Sequence, residues 1–291
     1  MHGTIQKVAA IHDLSGFGRA SLTAIIPTLS AMGVQVCPLP TAILSNHTGG
    51  FDTYSYVDLT DTMPAFIDQW KALDLRFDAV YSGFLGSVKQ IEIVSDFIDH
   101  FGTAENLVVV DPVMGDNGAL YSSFTPAIIP EMKKLVRKAD LITPNFTEAG
   151  YLLGEDCAPE VFTDDLGKDW LRRLSELGPK IVVITSAPDA RHPDTTNVVA
   201  YDREDDTFWK VGCRYIPAAY PGTGDTFTSV LIGSLLQGDS LPVALDRATQ
   251  FISQCIKASY GCHYPKRNGV LLEKELGILN MPVLISGYEM M

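Results

Sequence analysis

Six short apolar runs, separated by stretches with helical periodicity, constrain this chain more than any other feature. Val8–His12, Val34–Leu39, Ala79–Ser82, Leu107–Asp111, Leu141–Thr143 and Ile181–Thr185 are apolar without clean alternation, the pattern of strands covered on both faces. Helices are expected over Ser21–Met32, from a Ser87-Val88-Lys89-Gln90 capping box to near Gly102, and over about Pro126–Lys138, Thr147–Leu153 and Thr163–Leu177. Two more follow, Asp225–Gln237 and Leu241–Ser259, the second with Pro242 tolerated in its first turn. Asn197–Asp202 and Thr207–Arg214 read as a hairpin at a sheet edge. The expectation is an α/β fold: a doubly wound, mostly parallel central sheet with helices on both faces and antiparallel edge strands, in a single domain over residues 1–291.

Charge narrows the partners. The net charge is −13, with 35 acidic against 22 basic residues. Nucleic-acid binders carry the opposite sign, so no nucleic-acid partner is expected. Any phosphate site must be built locally from backbone amides and metal ions. Cys37, Cys157, Cys213, Cys255 and Cys262 are odd in number and form no Cys-x-x-Cys. With no signal-peptide pattern, they read as reduced thiols of a cytoplasmic protein. No apolar run reaches the roughly 18 residues of a membrane span.

Polar residues gather where the strands should end. Asp13 follows the first strand, and Thr41 with Ser45-Asn46-His47-Thr48 the second. Ser82, Asp111, Thr143 with Asn145, and Thr185 close the other four. Ligands bind outside the carboxyl ends of open parallel sheets, although each residue singly suits an ordinary turn. Pro221-Gly222-Thr223-Gly224-Asp225 then opens a helix. Glycines there allow close approach to a ligand, and the first helical amides form an anion site. Asp225 would oppose a simple anion. It makes sense if the anion is a transferring phosphoryl group and the carboxylate accepts the proton of the attacking hydroxyl. The alternative is a capped Gly-rich turn. Asp111-Pro112-Val113-Met114-Gly115-Asp116 offers carboxylates to a Mg²⁺ ion, which needs only one or two, or is a plain Asp-Pro turn. Gly115, Gly118 and Tyr121 fit a flap over a nucleotide. Asn145 could reach a phosphate and Glu148 the cation through water. Equally, Thr147 is an N-cap and Glu148 a favoured first-turn residue. His47 is given no acid–base role, and His12 reads as core.

Taken in order, Ala10-Ile11-His12-Asp13-Leu14-Ser15-Gly16-Phe17-Gly18, Leu44-Ser45-Asn46-His47-Thr48, Ser82-Gly83-Phe84-Leu85-Gly86-Ser87, the Asp111 segment, Thr143-Pro144-Asn145 with Glu148, and Gly222-Thr223-Gly224-Asp225 resemble the pyridoxal/pyridoxamine (vitamin B6) kinases of the ribokinase-like superfamily. The likeness covers about residues 8–260. It implies ATP-dependent phosphorylation of the 5′-hydroxymethyl group of a B6 vitamer, with Mg²⁺ and a monovalent cation such as K⁺, in a homodimer. Asp225 would be the base and the Gly222–Gly224 amides the anion hole, with Asp111 and Glu148 on the metal side. Asn145, Thr185 and Thr223 would line the phosphates, and Asp116 and Tyr121 would lie in the flap. Asp13, Thr41, His47 and Phe84 would surround the vitamin ring. Many B6 kinases have Ser in place of Asp13 and Tyr in place of Phe84. An Asp with Ser-Gly nearby is closer to the hydroxymethylpyrimidine kinases, which typically carry Cys in place of Asp225. A hydroxymethylpyrimidine kinase or dual-use enzyme is therefore the alternative. A non-catalytic nucleotide or vitamin sensor is a third reading, and Asp225 argues against it.

Overall fold

Strands with apolar residues on both faces need a helical layer on each side, and the chain supplies two. The computed structural model describes residues 5–155, 162–188, 192, 194–262, 264–282 and 287–291; Cys157 lies outside them. In chain order the elements are β1 (Lys7–Ser15), α1 (Leu22–Ala31), β2 (Gln35–Leu44), β3 (Tyr56–Asp58), α2 (Met63–Ala72), β4 (Ala79–Ser82), α3 (Val88–Phe101), β5 (Leu107–Val110), β6 (Gly115–Asp116), β7 (Ala119–Leu120), α4 (Ile128–Val136), β8 (Leu141–Ile142), α5 (Phe146–Leu153), α6 (Asp164–Glu176), β9 (Ile181–Pro188), β10 (Thr195–Asp202), β11 (Thr207–Arg214), α7 (Thr223–Leu236), α8 (Leu241–Tyr260), α9 (Leu272–Glu275) and β12 (Tyr288–Met290).

Ten strands form one sheet in the order β12-β11-β10-β9-β8-β5-β4-β1-β2-β3. The six from β9 to β2 are parallel, and β3, β10, β11 and β12 are antiparallel. Successive residues of β1 point to opposite faces. Ala9 and Ile11 enter the core under α2–α6, whereas Val8 and Ala10 enter the core under α1, α7 and α8. The first core is rich in rings, with Phe146 stacked on Trp170 at 5.0 Å. From β1 the chain first moves outward to β2, then returns to β4 on the other side and continues through β5, β8 and β9. The strand order thus reverses at β1, which places a ligand crevice at the carboxyl ends of β1 and β4.

Several local expectations need correction. Asp13 and Thr41 lie inside β1 and β2 rather than after them. Pro40 suggests a strand end, but β3 reaches only Ala42–Leu44. Pro38 and Pro40 therefore lie where β2 has β1 on one side and no strand on the other, and an unpaired side tolerates proline. The Ser87–Gln90 box is only half formed. Ser87 accepts from the Gln90 N–H, but the Gln90 side chain accepts from Gly86 N instead. The β10–β11 hairpin is not at the edge, because β12 pairs with β11. Both β12 and β3 have three residues, too few to show a period. In α2 only Met63 and Ile67 are buried, which leaves a weak helical signal.

Candidate functional site

The start of α7 is the centre of the crevice. Gly222 is its N-cap at φ +79°, and a Cβ there would lie 1.9 Å from the Arg19 carbonyl oxygen. Only glycine permits both that conformation and that contact. Residues 19–21 consequently lie directly against the helix start. The helix begins at Thr223, two residues earlier than expected, and the first intrahelical bond runs from Thr226 N to Gly222 O. The amides left without a helical partner are therefore those of Gly222, Thr223, Gly224 and Asp225, a set that contains the expected Gly222–Gly224 amides and adds that of Asp225. The Thr223 hydroxyl is turned back and donates to the Tyr220 carbonyl.

Asp225 stands at this mouth with its side chain 15% exposed. Oδ2 accepts from Ser21 N at 2.8 Å. Burial raises its pKa to about 6, and the nearby Asp13 charge adds to the shift. His12 is fully buried as expected, edge-on to Tyr81, with Nδ1 3.9 Å from Asp225 Oδ1. Burial lowers its pKa to about 3, so the imidazole is neutral and the contact is not an ion pair.

Asp13 sits at an irregularity in the β1–β2 pairing. His12 pairs with Pro40 and Leu14 with Ile43, so Thr41 and Ala42 together face Asp13. Such bulges re-aim side chains. Asp13 accepts hydroxyl protons from Ser21 (2.5 Å) and Ser15 (3.0 Å). Burial still pushes its pKa upward against those bonds. Thr41 Oγ1 and Ser82 Oγ are buried without a hydrogen-bond partner among the described residues. Buried hydroxyls ordinarily have one, so both can take a polar group from a bound molecule. Phe84 is half-buried, its ring 5.4 Å from that of Phe124. His47 Nδ1 accepts from Gly49 N, and Nε2 is 2.7 Å from the Arg267 carbonyl. This fixes the Nε2–H tautomer. Both ring nitrogens are thus used to tie the loop after β2 to residue 267, leaving His47 no free hydrogen bond for a ligand.

A second acidic group adjoins the first. A Cβ on Gly224 would come within 4.0 Å of Asp111 Oδ2. Burial, then Glu148 and Asp225, hold the Asp111 pKa well above the usual carboxylate range. Glu148 is raised to about 8, mainly by burial. Among the described residues no lysine or arginine pairs with Asp13, Asp111, Glu148 or Asp225. Uncompensated buried carboxylates are costly, and a hard cation with oxygen ligands fits them. No group of three or more His, Cys, Asp or Glu forms a ready protein cage among the described residues. The donor set therefore suits Mg²⁺, which retains waters and phosphate oxygens. Glu148 also has another task. It accepts from Met114 N and Asn145 N, while Asn145 Oδ1 accepts from Glu148 N, a full capping box on α5. Asn145, not Thr147, is the N-cap. Its side-chain amide donates to Gly115 O, and Thr185, inside β9 rather than at its end, pairs with it in an isolated parallel bridge.

Strands β6 and β7 form a two-residue hairpin. Asn117 and Gly118 both have positive φ, +52° and +78°, the requirement of a type I′ turn. Gly118 N donates to the Thr147 hydroxyl, docking the hairpin on α5. Asp116 is exposed and accepts from Asn117 N. Tyr121 follows β7, its N–H donating to the Met114 carbonyl, and burial with the Glu148, Asp116, Asp111 and Asp225 charges raises its pKa. A cavity of about 440 Å³ lies between the chain leading to α7 and the end of α8, lined by Arg214, Tyr215, Ile216, Pro217, Lys257 and Tyr260. Sequence reasoning missed this cavity and Ser21. Neither carries a motif, because each arises from segments distant in the chain.

A crevice at the reversal of a doubly wound sheet, with a helix N-terminus and a buried carboxylate over it, is the arrangement of a ribokinase-like kinase. The chain matches the phosphomethylpyrimidine kinase family over residues 16–270 and belongs to it. It is similar to a protein of Bacteroides thetaiotaomicron described as a putative phosphomethylpyrimidine kinase and crystallised with pyridoxal. Identity is 56%, the TM-score is 0.95, and the match covers 99% of this chain and 100% of that one. Pyridoxal kinase from Lactobacillus plantarum is 32% identical with a TM-score of 0.84, covering 95% of this chain and 97% of its own. A pyridoxal kinase of Paraburkholderia xenovorans is 30% identical, with 88% of each chain covered.

Proposed function

We propose that this protein transfers the γ-phosphoryl group of ATP to the 5′-hydroxymethyl group of pyridoxal, pyridoxamine or pyridoxine. One observation carries the reading: the Asp225 carboxylate and the helix-start amides of Gly222, Thr223, Gly224 and Asp225, which have no helical partner, share one mouth over the strand reversal. With a pKa of about 6, Asp225 is about 90% ionised at neutral pH and a stronger proton acceptor than an ordinary carboxylate. It takes the hydroxyl proton as the new oxygen–phosphorus bond forms and the bond from the γ-phosphorus to the departing ADP breaks, while the amides bind the developing charge on the phosphoryl oxygens. Asp111 and Glu148 would hold Mg²⁺, the latter through water because its oxygens already accept amides. Bound there, the cation supplies neutralisation of phosphate charge. Asn145 and Thr185 border the phosphate path, and the β6–β7 hairpin with Asp116 and Tyr121 covers it. The cavity beside Tyr215 and Tyr260 suits the nucleotide base, with Arg214 and Lys257 supplying positive charge. Asp13, Thr41 and Phe84 face the ring, Asp13 pairing with a protonated pyridine nitrogen.

The hydroxymethylpyrimidine reading is favoured by Asp13, by the family's description and by a Bacillus subtilis relative named hydroxymethylpyrimidine/phosphomethylpyrimidine kinase, 28% identical. Incubation with MgATP and pyridoxal, pyridoxamine, pyridoxine or hydroxymethylpyrimidine separates them. Phosphorylation of the pyrimidine alone would overturn the vitamin B6 assignment, and ATP turnover with none of the four would overturn both. The proposal includes a homodimer, tested by sedimentation, and K⁺ activation, tested against Na⁺. Cys37, Cys213, Cys255 and Cys262 are unpaired, which supports a cytoplasmic setting.

A further inference from the structure

Ser21 occupies an unusual position between Asp13 and Asp225. It is the N-cap of α1, yet its side chain makes no capping hydrogen bond to its own helix. Its φ of +52° and ψ of −135° depart from the extended conformation usual at an N-cap. They fall where residues with a Cβ are strained. That conformation splits the residue's two donors. The backbone N–H points to Asp225 Oδ2 at 2.8 Å, and the hydroxyl to Asp13 Oδ1 at 2.5 Å. The surroundings hold it there. Ser21 pairs with Leu14 in an isolated antiparallel bridge, and Arg19 and Ala20 are pressed against Gly222 at the start of α7. The residue is 7% exposed.

We propose that Ser21 is a positioning residue that orients the Asp225 carboxylate through its N–H and anchors Asp13 through its hydroxyl, so that one residue sets both the proton acceptor and the ring-facing carboxylate. The inference rests on the kinase reading above. It assigns the two donors separable effects. Loss of the hydroxyl frees Asp13 and weakens vitamer recognition. Loss of backbone definition loosens Asp225 and slows transfer.

Ser21→Ala removes the hydroxyl and keeps a Cβ. Ser21→Gly removes it, accepts the same φ without strain and therefore folds even if the alanine variant does not, while leaving the segment free to move. Steady-state kinetics on the intact enzyme should show KM for the vitamer rising about tenfold in both variants. Ser21→Gly should also lose about tenfold in kcat, with KM for ATP unchanged. Direct titration with pyridoxal in the absence of ATP should show the same loss of affinity. A serine needed only for folding would shift the melting temperature and leave vitamer KM and kcat unaltered, which would overturn the proposal. A loss confined to kcat in both variants would overturn the link to Asp13. The wild-type enzyme is run first. If it turns over no vitamer, the kinase reading fails and this inference with it. If it is active and both Ser21 variants match it, only this inference fails.

Discussion

Asp225→Asn should destroy turnover and at the same time stabilise the fold. Asp225 is nearly buried, and its folded-state pKa of about 6 lies above the ordinary value near 4. Between those values the folded chain keeps a proton that the unfolded chain has lost. Unfolded minus folded proton binding is then negative, and stability falls as pH rises through the interval. About two decades of proton affinity, at about 1.4 kcal/mol each, make an ionised Asp225 cost about 3 kcal/mol above pH 6. Asparagine has the same shape, and its carbonyl can still accept from Ser21 N. The cost should vanish, raising the melting temperature by about 5 °C at about pH 8. At about pH 4 both side chains are neutral and the gain should disappear. The assay is thermal unfolding of both proteins in EDTA without nucleotide, beside steady-state phosphorylation, where turnover should fall by orders of magnitude. An equal gain at both pH values, or a variant less stable at the higher one, would refute the argument that burial tunes this group.

Three further outcomes can be checked. In the wild-type enzyme kcat/KM should rise with pH through about 6, since the free enzyme must lose the Asp225 proton; a flat profile across that range would exclude it as base. Gly222→Ala and Gly33→Ala share φ +79°, but only the former meets backbone. Gly33→Ala should cost about 1 kcal/mol, and Gly222→Ala several more with loss of activity, both read by denaturant unfolding. Mg²⁺ with ADP should raise the melting temperature of the wild type, and Asp111→Asn should abolish the Mg²⁺-dependent part while being more stable than wild type in EDTA.

Much of the sheet was legible because its strands are buried on both faces, and that burial writes itself as uninterrupted apolar runs. All six parallel strands and the β10–β11 hairpin could be located this way. Elements that bury little were not: β3, β12 and α2 have short or sparse apolar patterns. The proline-bearing extension of β2 was hidden because propensity does not reveal which side of a strand is unpaired. In the crevice, residue types and their order already pointed to the chemistry of Asp225, Asp111, Asp13 and Glu148. Their protonation was not readable, because it depends on burial and on charges brought near by folding.

By itself the sequence determined the architecture and the identity of the groups that could do chemistry, since periodicity and motifs are local properties of a chain. Tertiary structure alone decided which of those groups meet. Residues 19–21 reach the start of α7 across about 200 residues of chain, His47 is withdrawn into a structural tie to residue 267, and Asp225 becomes more basic only where neighbouring elements exclude water. Those outcomes are long-range packing and electrostatics, and no window of sequence contains both partners.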